Sequence, residues 1–137
     1  MNSLAKETKS LSKLLRIARG EADHLREDLA DIVAARAAAA AALSEIDQTM
    51  ESESALGSGI EFAEFVDASR ERRRILSQNL ATLEDAEDVS RERLRQAFLE
   101  IEKLNALLDA RAVAARRLSN KRESGLHDEI AAGIARR

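Results

Sequence analysis

Apolar residues recur alternately every four and three positions along the first part of the chain. The first stripe has eleven apolar residues in twelve positions and is interrupted only at Arg36. Its positions are Leu11, Leu15, Ala18, Ala22, Leu25, Leu29, Ile32, Arg36, Ala39, Leu43, Ile46 and Met50. A mean spacing of about 3.5 residues over more than about five heptads is typical of a coiled-coil helix. Since Leu4 extends the stripe upstream, we predict a first helix over about residues 4–56.

A second stripe with the same spacing follows. Ten of its fourteen positions are apolar. They are Phe62, Val66, Ser69, Arg73, Leu76, Leu80, Leu83, Glu87, Ser90, Leu94, Ala97, Ile101, Leu104 and Leu108. The pattern predicts a second helix over about residues 60–124 or longer, although the stripe fades beyond Leu108. Polar seam positions favour one register at some cost in stability, and we expect Arg36 to reach toward acids such as Glu84 or Glu87.

The segment between the stripes, LGSGIE, holds two glycines in a chain that has no proline. Gly57 suits a left-handed residue that closes the first helix. Ser58, followed three positions later by Glu61, matches a capping box that begins the second helix. We therefore predict a turn at Gly57, Ser58 and Gly59 and an antiparallel hairpin. With the bend at Ser58, residue i faces about residue 116 − i.

These elements predict an all-α fold in which residues 1–137 form a single domain. Its two long helices make an antiparallel coiled-coil hairpin with a C-terminal helical overhang. In the predicted register residues 4–11 face about residues 105–112. Residues 111–137 therefore extend beyond the first helix as an overhang. We expect this overhang to fray near Gly125 and Gly133. Aromatic residues are 2% of the chain and charged residues 34%, which favours a thin seam over a globular core.

Composition narrows the possible chemistry. The chain has no cysteine, which excludes disulfides and thiolate metal sites. Its first residues lack the apolar core of a signal peptide, and the low-charge run 37–43 is too short to cross a bilayer. We therefore expect a soluble, unprocessed, cytoplasmic protein.

Candidate catalytic groups are few. His24 lies off the stripe and His127 lies near the end, and neither belongs to a metal-binding motif. The sequence has no glycine-rich phosphate loop and no HExxH motif. A two-helix hairpin offers no obvious enclosed pocket for catalysis. We predict a protein that is not an enzyme, with no catalytic residue, cofactor, metal or small-molecule substrate.

Charge is unevenly distributed. The net charge is −3, but residues 111–137 carry seven basic and three acidic residues, which is +4. This basic tail is either a solvated helix end or a contact for an acidic partner, protein or nucleic acid. Nucleic acid is the less favoured partner because the chain as a whole is acidic and no aromatic residue lies among the arginines. The runs RERRR and RERLR are best interpreted as salt-bridged helix surface.

Three segments resemble the FliJ family of flagellar type III export proteins and, more distantly, the YscO-type proteins of virulence secretion systems. They are LSKLLRIARGEADHLREDLADI, GIEFAEFVDASRERRRILSQNLATLE and ERLRQAFLEIEKLNALLDARAVAARRLSNKRESGLHDEIAA. The resemblance leans toward the flagellar system and implies an antiparallel coiled coil similar to the central stalk of rotary ATPases. Such a protein would sit in the hexameric export ATPase, couple it to the membrane export gate, and associate with export chaperones. Its location would be cytoplasmic, with a peripheral place at the inner membrane.

The resemblance also implies site residues. The end that holds both chain termini would enter the ATPase ring, and the half near the turn would meet the gate or a chaperone. The ring-contact residues would be Leu4, Leu11, Leu15, Arg111, Arg116, Arg117, Lys121 and Arg122. The gate or chaperone contacts would be Phe62, Phe65, Arg70, Arg72 and Ile75.

Two other functions remain open from the residues alone. The hairpin could be a structural tether whose outer faces assemble into a homodimer. It could instead be a coiled coil that associates with nucleic acid through its basic tail. Light scattering tests the first alternative, and salt-dependent binding to mixed-sequence DNA tests the second.

Overall fold

The computed structural model describes residues 2–54, 57 and 59–136, which form two long helices packed against each other. Helix α1 spans Asn2–Ser54 and helix α2 spans Ile60–Ala135. No strand occurs among the described residues. The predicted all-α class and the hairpin of two long helices are thus confirmed.

The hairpin divides into two compact units, each built from a stretch of α1 against a stretch of α2. The terminal unit comprises Met1–Ala22 and Gln96–Arg137, and the turn unit comprises Asp23–Arg95. In the terminal unit Leu15, Ala18 and Leu104 form the buried centre. Half-buried side chains pack around that centre, namely those of Leu11, Ile101 and Leu108.

Burial follows the two predicted stripes closely. Every apolar position of the first stripe is buried or half-buried, and the interrupting Arg36 is exposed. In the second stripe thirteen of fourteen positions are buried or half-buried, and only Arg73 is exposed. Side chains spaced by 3.5 residues stay on the face that meets the partner helix, which removes their apolar surface from water.

The register of the hairpin differs from the predicted one. Glu7 faces Arg111 in the terminal unit, and Asp47 faces Arg73 in the turn unit. In both units residue i therefore faces about residue 119 − i, not 116 − i. Heptad stripes remain matched after a shift of about one helical turn, so apolar spacing alone did not determine the pairing. Leu4 consequently lies beside Ala115 and Leu118.

The backbone conformation of the two turn glycines also differs from the prediction. Gly59, not Gly57, has the positive φ, at 111°. The N–H of Gly57 donates to the carbonyl of Glu53 at 2.9 Å. A Cβ at Gly57 would come within 2.8 Å of Cδ2 of Phe62, so space, not φ, requires glycine there. Ser58 and the predicted end of the first helix at residue 56 lie outside the described residues, and Glu61 is in the first turn of α2.

Alanine substitutions at two glycines should change stability in opposite directions. Gly59→Ala should lower the free energy of unfolding by about 1–3 kcal/mol, because a residue with a side chain is strained at this φ. Gly20→Ala should raise it by about 0.5–1 kcal/mol, because Gly20 lies inside α1 with open space around its Cβ position. Urea denaturation of both variants measures the two changes. Equal effects at the two positions would contradict this account of the turn.

Helix α2 continues through Gly125 and Gly133, where we expected fraying. Arg111 pairs with Glu7, and residues 115–122 share a groove with the beginning of α1, so the overhang begins later than the predicted residue 111. The last part of α2 is exposed and has no covering element from the described chain. Over the residues described, neither helix contains a segment long and apolar enough to cross a bilayer.

Candidate partner-binding surfaces

The terminal unit has an apolar groove between the beginning of α1 and the later part of α2. We call it the terminal groove, and its volume is about 560 Å³. It is lined by Leu4, Ala5, Thr8 and Lys9 of α1 and by Ala115, Leu118, Ser119 and Arg122 of α2. A volume of this size is within the range of ligand-binding clefts. The groove is open and can take side chains from a partner helix.

Exposed cations lie around the terminal groove. Arg111 is paired with Glu7 at 3.3 Å, whereas Arg122 belongs to the groove wall. Arg116, Arg117 and Lys121 are exposed and have no ion-pair partner within the described residues. These three side chains are therefore available to an acidic partner without first losing an intramolecular contact.

Two of the residues expected to touch the ATPase have a structural role. Leu15 is buried in the centre of the terminal unit, and Leu11 packs beside it. A partner could reach Leu15 only if the two helices separated. Of the three predicted leucines, only Leu4 lies at a groove that is open to a partner.

The residues expected to meet the gate or a chaperone are divided between different surfaces of the turn unit. Phe65 and Arg72 line one groove of about 200 Å³. Phe62 is half-buried against the turn at Gly57, and Ile75 is exposed. Arg70 lies on another surface, together with Arg73, Arg74, Ser77, Gln78 and Ala81. Nothing in the sequence pattern indicated this division.

Four of the seven arginines in the runs RERRR and RERLR form salt bridges, namely Arg73, Arg74, Arg91 and Arg95. Arg73 pairs with Asp47 of α1 at 2.7 Å. Arg74 pairs with Glu71 at 2.6 Å, and its hydrogen bond lowers the pKa of the Glu71 carboxyl below the ordinary value. Because that pKa is lowered on folding, the pair stabilises the fold above the ordinary pKa of glutamate and loses its effect as the pH falls. Such exposed pairs contribute little to stability.

A polar layer interrupts the seam of the turn unit. Arg36 contacts Glu87 at 2.5 Å and Glu84 at 3.8 Å, which confirms the predicted pairing. Arg91 holds the other oxygen of Glu87 at 2.6 Å. The hydrogen bond with Glu87 raises the pKa of Arg36 above its ordinary value. Glu87 is only 3% exposed, so its charge is stabilised by two arginines and not by water.

The structure shows no metal-binding arrangement in the described part of the chain. No group of three His, Cys, Asp or Glu residues lies close enough there to hold a metal ion. His24 is exposed on α1, where Nδ1 lies 4.0 Å from Oε2 of Glu27. His24 is therefore a surface residue, as its place off the first stripe indicates.

The described residues form a helical hairpin with an apolar groove and three unpaired cations, Arg116, Arg117 and Lys121, in the terminal unit. Residues 8–137 match the family model described as flagellar FliJ protein. The chain belongs to the FliJ family. No curated protein and no solved structure matches the chain significantly. As a FliJ-family member the chain is a component related to flagellar protein export, and the family is non-enzymatic.

Sequence reasoning missed most of the terminal groove. Ala5, Thr8 and Lys9 lie off the first stripe, and Ala115 and Ser119 lie beyond the point where the second stripe fades. The predicted register placed Leu4 opposite about residue 112, too early in α2 for it to meet Leu118. A register set by the ion pairs Glu7–Arg111 and Asp47–Arg73 would have located this groove.

Proposed function

We propose that this FliJ-family chain is a cytoplasmic, non-enzymatic stalk that binds the hexameric export ATPase and links it to the export gate. The observation that carries the proposal is the family match over residues 8–137. Such a protein works through protein contacts, at the inner membrane only peripherally through its partners. Association with export chaperones belongs to the same proposal.

The terminal groove and the cations near it form the proposed ATPase contact. Leu4 and Leu118 offer apolar surface, and Arg116, Arg117 and Lys121 offer positive charge. Apolar burial supplies affinity, while complementary charge supplies orientation and a faster association rate. Leu11 and Leu15 stabilise the hairpin that presents this surface and are not proposed as contacts.

The turn unit carries the proposed gate or chaperone contact. Phe65 and Arg72 share one groove, and Ile75 is exposed elsewhere on α2. Aromatic and arginine side chains are the types most often found at the energetic centre of protein interfaces. The groove that holds Phe65 and Arg72 is therefore the first part of this surface to test, with Phe62 and Arg70 as secondary positions.

Charge reversal at the terminal unit should weaken ATPase binding. In the variant Arg116→Glu, Arg117→Glu, Arg122→Glu, we expect the dissociation constant for the export ATPase to rise by at least about tenfold, since three favourable charges become unfavourable. Binding is measured by biolayer interferometry at moderate salt, and helicity by circular dichroism.

A matched variant controls for net charge. Arg70→Glu, Arg72→Glu, Arg93→Glu reverses three arginines of the turn unit and should leave ATPase affinity within about twofold. If the first variant keeps both its helicity and its full affinity, the terminal unit is not the ATPase contact. If the control variant loses as much affinity, the effect is one of net charge and not of this surface.

A further inference from the structure

The turn unit contains a groove that the proposed function does not use. We call it the acidic groove, and its volume is about 510 Å³. It is lined by Leu25, Asp28, Asp31 and Ile32 of α1 and by Asp85, Ala86, Val89, Ser90 and Arg93 of α2. The apolar members are half-buried except Val89, which is 51% exposed. The groove therefore has an apolar floor that can accept side chains from another helix.

The rim of this groove is strongly acidic. Asp28, Asp31 and Asp85 have no ion-pair partner within the described residues, and Arg93 is the single basic residue of the lining. The surrounding residues 23–95 include nine basic and seventeen acidic residues, a net charge of −8. Unpaired carboxylates beside an apolar floor fit a helix that presents both cations and apolar side chains.

The chain itself carries a helix of that chemistry. The C-terminal segment, which we define as residues 116–134, begins with the cations Arg116, Arg117, Lys121 and Arg122. Beyond them Leu126, Ile130 and Ile134 recur every four residues, so they share one helix face, and all three are exposed. Nothing in the described part of the chain covers that face. An apolar helix face next to the unpaired cations Arg116, Arg117 and Lys121 matches the acidic groove in both polarity and charge.

We propose that the C-terminal segment of one copy of this chain docks in the acidic groove of a second copy. The groove wall formed by Asp85, Val89 and Arg93 belongs to α2, as does the C-terminal segment. A single helix cannot lie alongside itself, so the occupant comes from another copy. The two surfaces differ from each other, so the contact is head-to-tail and can extend beyond a dimer. The cations of the segment also belong to the proposed ATPase contact, so a docked segment is not available to the ATPase, but the docking itself requires no ATPase.

The predicted self-association is sensitive to salt, because charges of opposite sign carry much of its attraction. Sedimentation equilibrium of the full chain at about 20 mM salt should give a weight-average mass that at least doubles as concentration rises. At about 500 mM salt the mass should return to that of one chain, because the Debye length is then only a few ångströms and the charges no longer attract one another over longer distances. A single-chain mass at every concentration and both salt levels would overturn the proposal.

Charge reversal of each surface tests whether the acidic groove and the C-terminal segment meet. The groove variant is Asp28→Lys, Asp31→Lys, Asp85→Lys, and the segment variant is Arg116→Glu, Arg117→Glu, Lys121→Glu. Each variant alone should stay a single chain at low salt. An equimolar mixture of the two should associate again, because the native segment of the groove variant can dock in the native groove of the segment variant. The two reversed surfaces are complementary to each other as well.

A control variant has the same change in net charge as the groove variant. Glu51→Lys, Glu53→Lys, Glu64→Lys alters exposed acids of the turn unit outside the acidic groove and should associate like the unmodified chain. Persistent association of either reversed variant alone would overturn the proposal. Loss of association in the control, or no recovery in the mixture, would overturn it as well.

Discussion

Replacing Leu104 by alanine should lower the free energy of unfolding by about 2–5 kcal/mol. Leu104 is 5% exposed and packs with Leu15 and Ala18 at the centre of the terminal unit. In a two-helix seam few other side chains close over a cavity, so the lost apolar contact is not replaced. Urea denaturation followed by circular dichroism measures the loss.

The matched control is Leu99→Ala, on the same helix and in the same unit. Leu99 is 49% exposed, so its truncation removes little buried surface. We expect a change in unfolding free energy of less than about 1 kcal/mol. Similar losses for Leu104→Ala and Leu99→Ala would show that the seam is not where this fold obtains its stability.

Replacing Arg36 and replacing Glu87, the two main residues of the polar layer, should change the thermal unfolding midpoint by different amounts. Arg36→Leu leaves the buried carboxylate of Glu87 with Arg91 alone, and the unfolding midpoint should fall on the order of 5 °C. Glu87→Leu should leave the midpoint unchanged or raise it, because Arg36 is partly exposed and can turn toward water. Differential scanning calorimetry of both variants compares the two midpoints.

An ion pair that also joins the two helices, but is exposed to water, provides the control for these midpoint shifts. Arg73 and Asp47 join the two helices at 2.7 Å, but both side chains are about half exposed. Arg73→Leu should therefore shift the midpoint by less than about 2 °C. If Glu87→Leu destabilises the hairpin as much as Arg36→Leu, the layer is a net source of stability, and our account of its desolvation is wrong.

The sequence determined the elements of this fold but not their alignment. Spacing of about 3.5 residues identified both helices and nearly every buried position, because burial in a coiled coil follows that period. The alignment depends on the turn, where either Gly57 or Gly59 could take a positive φ. Apolar stripes tolerate a shift of one helical turn, and ion pairs such as Glu7–Arg111 are visible only after folding.

The candidate surfaces were less predictable than the helices. Each groove is lined by residues from both helices, so its position depends on the register that the stripes leave open. Leu11 and Leu15 illustrate the difficulty, because stripe residues near the proposed ATPase contact hold the seam together and are not exposed. The basic residues after Leu108 were recognisable from sequence, because their net charge does not depend on alignment.

The proposed function makes this FliJ-family chain a stalk for the export ATPase. The direct measurement is to titrate the purified chain into the export ATPase of its own organism while following hydrolysis rate and hexamer formation together. The account predicts that both rise and reach a plateau near one chain per six ATPase subunits. No change in either, with the chain shown to be helical under the same conditions, would contradict it.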